Sequence, residues 1–321
     1  MGTSREAIFG GAPRAEPATP GSYGLAPAGF RLPATMRLGP VRLQIADLER
    51  SLAYYEEVLG LERLERTADR ALLGTAPPER RPLVELRARR GTRPAPGRGR
   101  TGLFHFALLL PDRAALGRFV RHLGEIGVQA GAGDHLVSEA FYLQDPDNLG
   151  IEVYADRPQS AWRRVGRELM MATDPVDVGA LLQAAGDDPW RGIPAGTAMG
   201  HVHLHVGDLD AAAAFYAGAL GFDRTVWEYP GALFLGAGGY HHHLGTNLGA
   251  GRGASAPPPD EAQLLEWRLQ LPDAATWTAA LESLARGGYE READEASATS
   301  IAVLDPWGTR LRLERGPETP P

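Results

Sequence analysis

Three side chains in this sequence combine suitable chemistry with a shared register: His105, Glu152 and His201. Two neutral imidazoles and one carboxylate fill about half of the positions around an octahedral divalent ion. The open half suits a substrate and dioxygen bound side by side. The expected ion is therefore iron(II), with manganese(II), nickel(II) and zinc(II) as alternatives. The chain has no cysteine, so thiolate ligands, thiolate nucleophiles and disulfides are all excluded.

The register comes from an internal repeat. Val41, Leu43, Asp47, Leu48, Tyr55, Leu59 and Gly60 recur as Val202, Leu204, Asp208, Leu209, Tyr216, Leu220 and Gly221, and Asp145-Pro146 recurs as Asp305-Pro306. Each half contains two similar units, so there are four modules, each an alternating strand, an Asp and an amphipathic helix followed by shorter strands. The four aspartates, at 47, 112, 208 and 273, are natural N-caps. The residue seven positions before each is Pro40, His105, His201 and Glu266 in turn. The residue seven positions after the Asp-Pro turn is Glu152 in module two and Arg312 in module four. Pro40 cannot ligate, and Arg312 would put a fixed positive charge where a cation must sit. Only modules two and three supply a complete set. A lone strand histidine or strand-end carboxylate is ordinarily structural, but the common register of His105 and His201 argues for a shared role.

The expected fold is α+β: four βαβββ modules paired into two curved, cup-like mixed sheets with helices outside. The functional cup should join modules two and three, and modules one and four should make an inert one. The pattern predicts helices over 51–59 and 211–220, ending where Gly60 and Gly221 take the left-handed conformation. In module two it predicts strands near 128–130, 138–143 and 150–154, with Asp145-Pro146-Asp147-Asn148 as a turn. Residues 1–35 are rich in Gly, Ala and Pro without period and are expected to stay disordered. The divisions that follow are 36–156 for modules one and two, 157–198 as a connector with a helix near 162–171, 199–315 for modules three and four, and a tail over 316–321.

Other polar residues fall near the expected cup. In Tyr240-His241-His242-His243, strict alternation puts His241 and His243 on one face and His242 on the other. Either of the first pair could serve as a fourth ligand or as the acid/base. His135 and Tyr142 sit beside Glu152, and Tyr142 could donate a hydrogen bond to substrate. His203 and His205 line the same face as His201.

The net charge of −7 with interspersed signs leaves no cationic face for nucleic acid or an anionic membrane. No apolar run approaches the roughly 20 residues needed to cross a bilayer, and no basic segment precedes an apolar core at the N-terminus, so a cytoplasmic location is expected. A homo-oligomer is compatible with this composition. There is no P-loop, dinucleotide fingerprint or nucleophile elbow.

The stretches Gly102-Leu103-Phe104-His105-Phe106-Ala107-Leu108, Asp134-His135-Leu136-Val137-Ser138, Ile151-Glu152-Val153-Tyr154, Gly200-His201-Val202-His203 and Tyr240-His241-His242-His243 resemble the vicinal oxygen chelate superfamily. That superfamily includes glyoxalase I, bleomycin-resistance proteins and type I extradiol dioxygenases. More narrowly, the chain resembles the catechol-2,3-dioxygenase, or glyoxalase-like, branch over about residues 36–315. The resemblance implies cleavage of a small aromatic diol by dioxygen beside one hydroxyl. It places His105, His201 and Glu152 at the ligand positions and Tyr142 at the position of a tyrosine that hydrogen-bonds the intermediate. The family's acid/base histidine has no clean match: His135 is out of step, and His241 and His243 come from another module. Unlike the well-studied extradiol enzymes, the chain does not carry its ligand set in the C-terminal half. Two other readings are a glyoxalase-type isomerase or lyase with His243 closing the site, and a non-catalytic protein that sequesters a small molecule.

Overall fold

The computed structural model describes residues 14–293 and 297–316. Each of the four aspartates caps a helix through its carboxylate, accepting from Arg50 N, Ala115 N, Ala211 N and Thr276 N at 2.9, 2.7, 2.7 and 2.7 Å. The helices they start are Leu48–Glu57, Arg113–Glu125, Leu209–Ala212 and Ala274–Arg286, and the third continues as a π-helix over Ala213–Ala219. Gly60 and Gly221 have φ of +69° and +96°, the left-handed conformation that the Leu-Gly endings imply.

The strands form two large sheets. In the eight-stranded sheet the first strands of modules two and three, Gly102–Leu109 and Ala198–His205, pair antiparallel at the centre. On either side lie the last strands of those modules, Gly150–Asp156 and Leu244–Asn247, each parallel to its neighbour. The nine-stranded sheet repeats this plan with modules one and four, joined at Val41–Ile45 and Gln263–Leu271. Each sheet therefore takes one module from each half of the chain. Helices cover the outer faces, and one continuous core of apolar residues runs from Leu32 to Leu313.

A buried tyrosine of the first helix in each half reaches the Asp-Pro turn of the following module. Tyr55 OH donates to Asp145 at 3.1 Å, and Tyr216 OH donates to Asp305 at 2.7 Å. This contact explains why both residues recur in the repeat.

Three expectations need correction. Residues 14–35 do not stay outside the fold: Leu32 and Tyr23 are buried, Arg31 pairs with Asp223 through two hydrogen bonds of 2.7 and 2.6 Å, and Glu16–Pro17 pairs with Arg163–Val165. A few anchors suffice where average composition suggests none. Residues 162–171 do not form a helix. They form the strands Arg163–Val165 and Glu168–Leu169, which turn about Gly166 at φ +59°. The connector helix is Val178–Ala184, packed so closely on module two that a Cβ on Gly117 would lie 2.4 Å from Leu181 O. The first short strand of module two is Gly131–Asp134 rather than 128–130. Among the described residues, no helix is long and apolar enough to cross a membrane.

Candidate metal centre

Strand register brings the triad together. On the central strand, Ala107 lies opposite Glu152 on one side and His201 on the other, while His105 lies opposite His203. Because alternate residues share a face, His105 joins Glu152 and His201 around the small Ala107 side chain. His105 Nε2 and His201 Nε2 lie 2.9 and 3.1 Å from Glu152 Oε2, and 3.3 Å from each other. All three residues are buried, and their ligand atoms fall within 4.8 Å of one another. Glycines make room nearby: a Cβ on Gly150 would lie 2.0 Å from Phe104 O, and one on Gly200 1.9 Å from Tyr154 OH.

The electrostatics suit a cation. Burial pushes the Glu152 carboxyl upward, but the His201 and His105 imidazoles outweigh this and hold it well below the usual range. Burial lowers His201 to about 4 against the opposing pull of Glu152, so its imidazole is neutral at pH 7. A buried ionised carboxylate beside neutral imidazole nitrogen is the donor chemistry that a divalent ion requires. No other metal-competent group of this kind occurs among the described residues. In the second cup, the buried Glu266 is instead ringed by Arg312 at 2.8 Å, Arg268 at 3.1 Å, and Arg42 and Arg310 at 3.5 Å.

The triad opens on a cavity of about 760 Å³ with Phe104, Tyr229 and Phe234 in its walls. His135 and Tyr142 both line it. His135 Nδ1 lies 2.7 Å from Ala172 O, a pure acceptor, so this nitrogen carries the proton. His135 Nε2 lies 2.5 Å from Tyr142 OH. The Tyr142 hydroxyl thus stands between His135 Nε2 and the Glu152 carboxylate, which accepts a hydrogen bond from it. Burial, reinforced by Glu152, raises the Tyr142 phenol well above its ordinary value. His203 and His205 line the cavity as expected, held by Asn247: its Nδ2 donates to His203 Nε2 at 2.9 Å, and its Oδ1 accepts from His205 Nδ1 at 2.7 Å.

Of the three consecutive histidines, the one expected to face away is the one that reaches the cavity. His242 lines the cavity, with its ring 4.1 Å from that of His201. His241 turns back to Asp156 at 2.8 Å, and His243 Nδ1 accepts from Ala237 N at 3.2 Å. Gly238 and Gly239, at φ +62° and +76°, precede a segment that joins the sheet only at Leu244, so strand parity does not set which face of the segment meets the cavity. Asn247 and the connector residues Met171 and Ala172 also belong to the site and carry no spacing signal in the sequence. A polar residue on the strand adjoining His203 is the one hint that Asn247 offers.

The family model described as "Glyoxalase/Bleomycin resistance protein/Dioxygenase superfamily" matches residues 37–153 and again 198–313. A Bacillus subtilis (strain 168) protein named catechol-2,3-dioxygenase is 45% identical over 273 residues, covering 84% of this chain and 93% of that one. Among solved structures, a putative dioxygenase of Bacillus subtilis superposes with a TM-score of 0.61 at 14% identity, covering 89% of this chain and 86% of that one. Glyoxalase I of Zea mays superposes with a TM-score of 0.53 at 18% identity, covering 88% and 92%. A duplicated match over both halves, a relative this similar along nearly its full length and the paired cups agree: the chain belongs to the glyoxalase, bleomycin-resistance and dioxygenase superfamily.

Proposed function

We propose that this protein is a metal-dependent extradiol dioxygenase that opens catechol-like rings with dioxygen, using a divalent ion, iron(II) foremost, held by His105, Glu152 and His201. The observation that carries this reading is the convergence of two imidazole nitrogens and one carboxylate oxygen within 4.8 Å at the floor of an aromatic-walled cavity. The similarity to a protein named catechol-2,3-dioxygenase supports it. Bound there, iron(II) would supply the redox-active centre at which a diol and dioxygen meet.

The chain's own groups have separate tasks. Phe104, Tyr229 and Phe234 give an aromatic ring apolar surface to pack on. Asn247 fixes the orientation of His203 and His205. Ala172 O holds the His135 ring through Nδ1, so that Nε2 faces the Tyr142 hydroxyl. The Tyr142 hydroxyl, beside both His135 and Glu152, is placed to hydrogen-bond an oxygen of the substrate next to the triad.

Catechol and substituted catechols should give a yellow ring-cleavage product with one dioxygen consumed per ring. Metal analysis of untagged protein should find about one ion per chain, and Glu152→Ala should lose both ion and activity. Full activity after chelation, or absence of product from every catechol with iron loaded, would overturn the proposal.

A further inference from the structure

One stretch of the cavity wall comes from outside both cups. Arg163–Val165 and Glu168–Leu169 form a small sheet with Glu16–Pro17, and the chain leaving it carries Met171, Ala172 and Thr173 to the cavity. The N-terminal segment ties this sheet to the second half of the chain. Gly24 N donates to Arg167 O at 2.8 Å, and Leu25 and Arg224 exchange backbone hydrogen bonds of 2.8 and 3.0 Å.

Beside that tie lies the turn 227–231, between the strands Asp223–Val226 and Ala232–Gly236, and its residues Tyr229, Pro230 and Gly231 all line the cavity. The first two amides of the turn have left the strand ladder. Both converge on one atom, Glu168 Oε1, with Trp227 N at 2.6 Å and Glu228 N at 2.7 Å. Glu168 is only 8% exposed, and a carboxylate taken out of water is costly unless such donors compensate it. Further along the turn, Tyr229 OH lies 3.3 Å from Thr173 Oγ1, and the Tyr229 ring stands edge-on to Phe234 with centroids 5.5 Å apart. The connector therefore holds Tyr229 both through the backbone before it and at its hydroxyl.

We propose that Glu168 is a positioning residue for substrate binding: by gathering the Trp227 and Glu228 amides it fixes the turn that sets Tyr229 as an aromatic wall of the cavity, in place before a flat ring arrives. A wall ordered in advance removes an ordering cost from binding, so the effect falls on affinity and not on turnover. That the ring is a catechol's rests on the functional reading above; the clamp on the turn does not.

Hydrogen exchange of the full chain, resolved by residue, reads the clamp without any ligand. Glu168→Ala should speed exchange at the Trp227 and Glu228 amides by about tenfold or more. Glu168→Gln, whose amide oxygen can accept from both, should stay within about threefold of the unaltered chain. With iron loaded, Glu168→Ala should raise KM for catechol by about fivefold while kcat stays within about twofold, and Glu168→Gln should restore KM. Unchanged exchange in Glu168→Ala overturns the clamp, and faster exchange with an unchanged KM overturns its role at the site. A fall in kcat at constant KM, the mark of a smaller folded fraction, overturns that role as well. Lost protection in a protein that cleaves no catechol leaves the clamp standing and defeats only the dioxygenase reading.

Discussion

At the scale of single residues, Ala107 matters because it is small. It lies opposite Glu152 and His201 and is fully buried, so the space above its methyl group is where the three ligand atoms meet. Ala107→Leu should cost about 1–3 kcal/mol through overpacking and drive the ligands apart. Titration calorimetry should show metal affinity falling by at least about tenfold, and unchanged affinity would mean that the ligands do not converge over this residue. Tyr142→Phe removes the hydroxyl between His135 and Glu152 without emptying the site. It should retain the metal and lower kcat by about 100-fold, and ion content and turnover measured together check both halves of that statement. His105, His201 and Glu152 are legible in the sequence because duplication places them at fixed distances from an Asp that must cap a helix. The roles of His241, His242 and His243 are not, because parity counts only along a strand and two left-handed glycines interrupt it. Ala172 is illegible for another reason: it acts through a backbone carbonyl, which every residue possesses.

At the scale of elements, helix starts and strand order follow closely from capping and period, whereas the segments between the halves do not. The connector forms strands because Glu16–Pro17 supplies a pairing partner that local pattern cannot reveal. The Asp-Pro turns show what local pattern does reveal. Asp145 accepts from Asp147 N and Leu149 N at 2.9 and 2.8 Å as well as from Tyr55, while burial raises its carboxyl to about 6. The unfolded value is about 3.9, so the folded state holds this proton more tightly. Stability from this group is complete below about pH 4 and is lost as pH rises through 6. The loss is on the order of 2–3 kcal/mol by about pH 7. Asp145→Asn cannot ionise and still offers an oxygen to the two amides. Denaturant titrations across this window should show a flatter pH profile for the variant, with its advantage confined to the neutral side. Parallel profiles would mean that Asp145 does not bear this linkage.

At the scale of the whole molecule, each cup is built across the repeat, since the seam strands Gly102–Leu109 and Ala198–His205 come from different halves. Neither half can bury its two seam strands alone, and unpaired apolar strands are open to wrong pairing. His105 and Glu152 lie on one half and His201 on the other, so metal binding reports on the seam itself. A chain cut between Ala195 and Gly196, in the loop before the second seam strand, yields fragments of 1–195 and 196–321. Each fragment should bind divalent metal at least about 100-fold more weakly than the intact chain, having lost one or two ligands. Mixed, they should reassemble with one ion per pair, because the cores of both cups span the cut. The metal should then raise the melting temperature of the pair and of the intact chain alike, through its selective binding to the folded state. Two fragments that each melt cooperatively and bind metal on their own would show that the halves are the folding units, and the central pairing of modules two and three would then not be what assembles the site.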